Sequence, residues 1–182
     1  MSTVYWITGL SGAGKTTIGK LLYAKLKKEY SNTVFLDGDI LRGVFGNEFG
    51  YSEEDRRRCA MRYARLCAML QTQDLNVVCC TISMFESVRN WNRENINNYK
   101  EIYVKVSMET LMNRDQKGLY SGRAGQQREE VVGIHMNFEE PRYSDLVLQN
   151  DGEKTPEEQV EEILRNCGEC VLYEDGNNSG KK

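Results

Sequence analysis

Apolar positions along the chain fall into two alternating periods. The runs VYWIT at 4–8, VFLD at 34–37, NVVCCTI at 76–82, IYVKV at 102–106 and LVL at 146–148 are short and rich in β-branched and aromatic residues. Each reads as a strand. Between them the spacing turns helical: Ile18, Leu21, Leu22, Lys25 and Leu26 recur on one face, and Ala60, Tyr63, Ala64, Cys67 and Leu70 form a second stripe. Strands alternating with helices predict an α/β architecture of three layers, in which a mostly parallel sheet is covered on both faces and ligands collect at the carboxyl ends of its strands. Thr155-Pro-Glu-Glu158 is a capping box with proline at the first helical position, so a last helix is expected through Leu164. Two stretches break the pattern. Residues 116–140 lack apolar periodicity and are rich in Gly, Arg, Gln and Glu, and 176–182 reads GNNSGKK, a flexible tail.

The turn after the first strand changes the picture from fold to chemistry. Its sequence, Gly9-Leu10-Ser11-Gly12-Ala13-Gly14-Lys15-Thr16, fits G-x-x-x-x-G-K-[ST], with the strand before it and the helix after it that the motif requires. Glycines let the backbone N–H groups close around an anion, and the helix adds its positive end. Lys15 then reaches the β- and γ-phosphates, and Thr16 offers its hydroxyl to Mg²⁺. A P-loop NTPase fold that binds ATP is the expectation, and a long polar segment such as 116–140 in such a protein is expected to be a mobile lid.

Composition narrows the partners. At 182 residues the chain suits one domain, placed at 1–175, and its net charge of −3 argues against a general nucleic-acid or membrane surface. No apolar run approaches a membrane span and no basic leader precedes the first strand, so a cytoplasmic protein acting on small anionic ligands is expected. Of the six cysteines, Cys79 and Cys80 fall in a strand and Cys59 and Cys67 on a helix, which predicts buried free thiols. The lone Cys167-Gly-Glu-Cys170 lacks a second pair and predicts neither metal nor redox chemistry.

The second strand ends in Leu36-Asp37-Gly38-Asp39, followed by Ile40-Leu41-Arg42. A parallel sheet brings these carboxylates beside the phosphate loop, where one could meet Mg²⁺ or its waters and the other an acceptor hydroxyl. Helix capping is the plainer use of such an aspartate.

At this point the chain resembles the adenylylsulfate kinases, P-loop kinases of sulfate assimilation that phosphorylate the ribose 3′-hydroxyl of adenosine 5′-phosphosulfate. The matching stretches are WITGLSGAGKTT, LDGDILR, FGYSEEDR, Ile82-Ser83, YVKV, NRDQKGLY, RAG and the GI…FEEP segment, in order from 4 to 148. The resemblance implies that Gly9, Ser11, Gly12, Ala13, Gly14, Lys15, Thr16 and Thr17 hold the ATP phosphates, with Thr16 and Asp37 at the metal. Asp39 would orient or deprotonate the acceptor hydroxyl, and Arg42 and Arg56 would grip the 5′ anionic group, a task suited to guanidinium forks. Ser83 would face the reacting phosphates, with Ile82 beside it at the substrate. Arg114, Lys117 and Arg123 would lie on the lid and neutralise charge on the transferring group as it closes, with Arg114 also contacting the nucleotide. Tyr51 and Val131 would enclose the base. The resemblance leaves room for a homodimer.

Departures from the family gather around the acceptor. The DRxxN pattern reads Asp55-Arg56-Arg57-Arg58-Cys59, so a thiol replaces an amide. Met84 and Phe85 stand where the family has proline and an aromatic, and the FTGIDxPYE stretch reads VVGIHMNFE, placing Val131 at an aromatic position and the sole histidine, His135, at an acidic one. Kinases of similar sequence act on cytidine diphosphoramidate in capsule modification, which keeps a second acceptor in play. A regulatory GTPase is disfavoured, because no [NT]KxD segment occurs.

Overall fold

The computed structural model describes residues 2–46, 50–114 and 138–168. Lys117, Arg123, Val131, His135, Cys170, the tail and nearly all of the expected lid lie outside the described residues. Five strands, β1 (Val4–Thr8), β2 (Thr33–Asp37), β3 (Asn76–Thr81), β4 (Tyr99–Lys105) and β5 (Leu146–Gln149), form one sheet in the order β2-β3-β1-β4-β5. Every pairing in it is parallel, so the mostly parallel sheet expected from sequence is parallel throughout the described residues. Six helices alternate with the strands: α1 (Lys15–Glu29), α2 (Gly38–Val44), α3 (Glu53–Gln71), α4 (Glu86–Asn95), α5 (Met108–Arg114) and α6 (Pro156–Cys167).

The period-two pattern of the strands builds a core on each face. Tyr5, Ile7, Val78 and Cys80 point toward Ile18, Leu22 and Leu26 of α1 and Val160 and Ile163 of α6. Val4, Trp6, Val77 and Cys79 point the other way, toward the stripe Ala60, Tyr63, Ala64 and Cys67 of α3 and Val88 of α4. The five cysteines among the described residues are free and buried. No helix among the described residues is long and apolar enough to cross a membrane.

β4 begins three residues before the expected strand. Glu101 is fully buried in that extension, opposite Trp6 of β1, and an internal carboxylate hides the strand's apolar period. Its charge is met by Arg93 at 2.6 Å and by the equally buried Arg89 at 3.6 Å, both from α4. Desolvation raises the Glu101 pKa against the pull of the two guanidiniums.

The chain leaves β1 for α1 on one face and leaves β3 for α4 on the other. This divergence opens a crevice at the carboxyl ends of β1 and β3, the place where open parallel sheets hold their ligands.

Candidate active site

The crevice is a cleft of about 460 Å³ lined by the phosphate loop, the turn after β2, the start of α3 and the residues after β3. Backbone geometry explains the glycines that shape its floor. Gly14 has φ +96°, and a Cβ there would lie 2.6 Å from the Asn150 amide nitrogen. At Gly9 a Cβ would stand 2.5 Å from the Val104 carbonyl oxygen, so the loop leaves β1 hard against β4. Both positions demand glycine. Lys15 opens α1, is nearly buried, and its Nζ donates to the Leu10 carbonyl at 2.7 Å across the loop. Ser11, Gly12, Gly14, Thr16 and Thr17 line the cleft, while Ala13 packs into the core behind it.

The two aspartates separate clearly. Asp37 is the N-cap of α2: its Oδ1 accepts from the Asp39 N–H at 2.9 Å, and its Oδ2 accepts from Thr16 Oγ1 at 2.8 Å. The capping role weighed for Asp39 therefore falls to Asp37, because the helix starts one residue after it. Asp39 sits in the first turn, exposed, with its carboxylate on the cleft lining.

Across the cleft, β3 ends at Thr81, and Ile82 and Ser83 line the wall beyond it. Ser83 is buried, and its Oγ has no hydrogen-bond partner among the described residues. Its backbone is fixed instead: Thr8 Oγ1 donates to the Ser83 carbonyl at 3.3 Å, and the Ser83 N–H donates to Thr81 Oγ1 at 3.4 Å. A buried hydroxyl left unpaired beside a phosphate loop is a group built for a ligand.

Arg42 and Arg56 also line the cleft, and they meet at Tyr51. Their guanidinium carbons lie 4.6 and 5.3 Å from its ring centroid. Arg42 Nη1 donates to the Gly50 carbonyl at 3.0 Å, and Arg56 Nε to the Tyr51 carbonyl at 2.9 Å. Ser52 caps α3 by accepting from the Asp55 N–H, so the YSEED stretch fixes the helix start that aims Arg56. Tyr51 itself is 45% exposed and lies outside the cleft lining, its ring occupied by the arginines.

Cys59 is buried and lines the cleft, its Sγ donating to the Tyr63 hydroxyl at 2.9 Å. Arg114 lies behind the phosphate loop: Nη2 donates to the Asn150 carbonyl at 2.7 Å, and Asn150 in turn donates to the Ala13 carbonyl at 2.7 Å. Asn150 also accepts from the fully buried Gln159 at 2.9 Å, which ties β5 and α6 to the loop. Sequence reasoning missed Asn150, since an amide at a strand end carries no signal of its own.

It also assigned no role to two aromatics, of which Phe85 was named only as a departure from the family. Phe85 and Phe138 line the cleft. Phe138 belongs to the FEEP stretch, whose match to the family was visible although no role followed from it. The segment is tied to the sheet, because the Glu139 N–H donates to the Met84 carbonyl at 3.1 Å and Glu140 pairs with Lys105 at 2.6 Å. The last three residues of the expected lid are thus anchored.

The residues present suit a magnesium nucleotide. No cluster of three or more His, Cys, Asp or Glu able to hold an ion occurs among the described residues, but Thr16 and Asp37 supply one hydroxyl and one carboxylate beside a phosphate cradle. Mg²⁺ is commonly held in this sparse way, with phosphates and waters completing its shell.

Comparison with known proteins agrees with this arrangement. The family model described as adenylylsulphate kinase matches residues 1–149. The cytidine diphosphoramidate kinase of Campylobacter jejuni is 41% identical over 162 residues, covering 89% of this chain and 94% of that protein. The adenylyl-sulfate kinase of Halothermothrix orenii is 35% identical over 172 residues, covering 93% of each. The Mycobacterium tuberculosis APS kinase, solved in complex with AMPPNP and APS, superposes with a TM-score of 0.81 at 28% identity, covering 90% of this chain and 96% of that one. Fold and cleft define a P-loop phosphotransferase. Within that class the chain belongs to the adenylylsulphate kinase family.

Proposed function

We propose that the protein transfers the γ-phosphate of ATP, with Mg²⁺, to the ribose 3′-hydroxyl of a nucleotide 5′-phosphoanhydride. The acceptor named by the family is adenosine 5′-phosphosulfate, which would give 3′-phosphoadenylylsulfate. One observation carries the reading: a phosphate loop and a turn bearing two carboxylates are joined by the Thr16–Asp37 hydrogen bond in a single cleft. Thr16 and Asp37 would hold Mg²⁺, which supplies neutralising charge when bound. Lys15 adds a second positive charge at the loop. Asp39, one residue beyond Gly38 in the turn, orients the acceptor hydroxyl and takes its proton. The Ser83 hydroxyl, without a partner among the described residues, donates to the phosphoryl oxygens from the opposite wall. Arg42 and Arg56 bind the 5′ anion. Arg114 supports the nucleotide side through Asn150. Lys117 and Val131 would act as the resemblance assigns, at the phosphoryl group and at the base.

A second acceptor has specific observations in its favour. Cys59 replaces the amide of the family, its thiol is committed to Tyr63, and the Tyr51 ring is covered by two guanidiniums. The acceptor wall thus lacks that amide donor and a free Tyr51 face, while the phosphate loop keeps its motif. Cytidine diphosphoramidate, the substrate named for the Campylobacter jejuni relative, fits that pattern. The deciding experiment incubates the protein with Mg-ATP and each of the two anhydrides, following ADP release. Turnover with adenosine 5′-phosphosulfate alone establishes the first acceptor, turnover with the cytidine compound alone the second, and release with neither overturns both.

A further inference from the structure

Tyr63 has no part in the chemistry above, and the apolar stripe of α3 accounts for its ring. Its hydroxyl does something the stripe does not require. It donates to the Gly38 carbonyl at 2.9 Å, a bond spanning 25 positions of sequence, and Gly38 stands between Asp37 and Asp39. That carbonyl belongs to the same peptide unit as the Asp39 N–H, which donates to Asp37 Oδ1 at 2.9 Å. One peptide plane is therefore clamped at both edges, by a phenol on its oxygen and by a carboxylate on its nitrogen. The plane has little other freedom, because a side chain on Gly38 would meet Thr81 Oγ1 and the Cys80 carbonyl at 3.2 and 3.3 Å.

The direction of each bond follows from the donors available. A carbonyl only accepts, so the single phenolic proton of Tyr63 goes to Gly38. Toward Cys59 the phenol oxygen is then an acceptor, and the thiol supplies the proton across 2.9 Å. Burial pushes the Tyr63 phenol well above its usual range, which favours the protonated hydroxyl that the bond to Gly38 requires. The ring is held independently of these bonds, stacked on Phe45 with centroids 6.0 Å apart and planes at 22°.

We propose that Tyr63 is a positioning residue for phosphoryl transfer: through the Gly38 carbonyl it fixes the peptide plane that sets Asp37 toward Thr16 and Asp39 toward the acceptor, with the Cys59 thiol orienting its hydroxyl. This role rests on the assignment of Asp37 and Asp39 given above. It also accounts for a thiol on the acceptor wall. Cys59 directs its proton away from the cleft and into the turn, so the wall offers the acceptor a sulfur in place of an amide donor.

Tyr63→Phe removes one oxygen and keeps the ring against Phe45. With ATP, Mg²⁺ and saturating adenosine 5′-phosphosulfate or cytidine diphosphoramidate, kcat is expected to fall about 10–100-fold, the range typical of groups that orient metal ligands and their neighbours. KM for ATP should stay within about twofold of wild type, because the phosphate loop is untouched. The Mg²⁺ concentration for half-maximal rate should rise, and the shape of the pH–rate profile should not change. Cys59→Ala should lower kcat by a smaller factor in the Tyr63→Phe background than in wild type, since the part of its effect that reaches the turn runs through the phenol. Wild-type kcat and Mg²⁺ dependence in Tyr63→Phe, with Asp39→Asn inactive in the same assay, would overturn the role of Tyr63 alone. Full turnover in Asp39→Asn as well would overturn the site assignment beneath it. Additive effects of the Cys59 and Tyr63 substitutions would break the proposed chain even where each variant is slow.

Discussion

At Lys15 a single ammonium is held across the loop that carries it, donating to the Leu10 carbonyl. The glycines at 9 and 14 set the backbone by close approach to Val104 and Asn150, so the turn has constraints besides that one bond. Lys15→Ala is therefore expected to leave circular dichroism unchanged while lowering kcat by about 10²–10³-fold, the loss typical when one preorganised charge donor is removed from a transition state. An alanine variant with wild-type turnover would remove the phosphate loop from the mechanism. Asp39 differs from its neighbour Asp37 in the same terms. Asp37 uses both oxygens within the protein, on Thr16 and on the Asp39 N–H, and so joins structure to site. Asp39 is exposed on the cleft and is the residue proposed to act on the acceptor. Asp39→Asn should lower turnover about 10²–10⁴-fold, the span of general-base contributions, with ATP affinity by calorimetry within about twofold of wild type. Abolished ATP binding with intact single-turnover chemistry would make Asp39 a nucleotide-side residue instead.

Among the elements, those with a clean apolar period were legible in advance, and the one that was misjudged carries a buried charge. β1 and the N-terminus of α6 fall where the pattern puts them, because VYWIT is buried throughout with only Thr8 polar, and Thr155 with Glu158 forms both bonds of the capping box. β4 was expected too short, since Tyr99-Lys100-Glu101 reads as polar until Arg89 and Arg93 of α4 are placed beside it. That pairing makes a distinct prediction. Glu101→Leu leaves Arg89 buried without its carboxylate and should destabilise the fold by about 3–5 kcal/mol, whereas adding Arg89→Met should recover most of the loss. Urea unfolding of the single and double variants checks it, and a double variant no more stable than the single would show that the α4–β4 contact depends on more than charge pairing. α4 itself gave little warning, because Val88, Arg89 and Asn92 are its buried residues and only one of them is apolar.

For the molecule as a whole, the phosphate side of the cleft was legible and the acceptor side only partly so, for a physical reason. A phosphate loop is a local device whose spacing is written in consecutive residues, whereas the acceptor wall is assembled from α2, α3, the end of β3 and Phe138, which meet only in the folded chain. Tyr63 looked like core and proved to be core with a hydroxyl aimed at a carbonyl. The same division governs how ligands should stabilise the protein. A ligand that binds only the folded state adds RT ln(1 + [L]/Kd), about 2.7 kcal/mol at a hundred times Kd, and in a domain of this size each kilocalorie moves Tm by about 2–4 °C. Mg-AMPPNP at such a concentration should therefore raise Tm by about 5–11 °C in wild type. Asp39→Asn should show the same rise, since the acceptor carboxylate leaves nucleotide binding alone, and Lys15→Ala should lose most of it while its unliganded Tm stays near wild type. Replacing Mg²⁺ by excess EDTA should reduce the wild-type shift, because Thr16 and Asp37 then meet the triphosphate without an intervening cation. Equal shifts in wild type and Lys15→Ala would mean that the stabilising nucleotide sits away from the phosphate loop, and the cleft between β1 and β3 would lose its claim to be the ATP site.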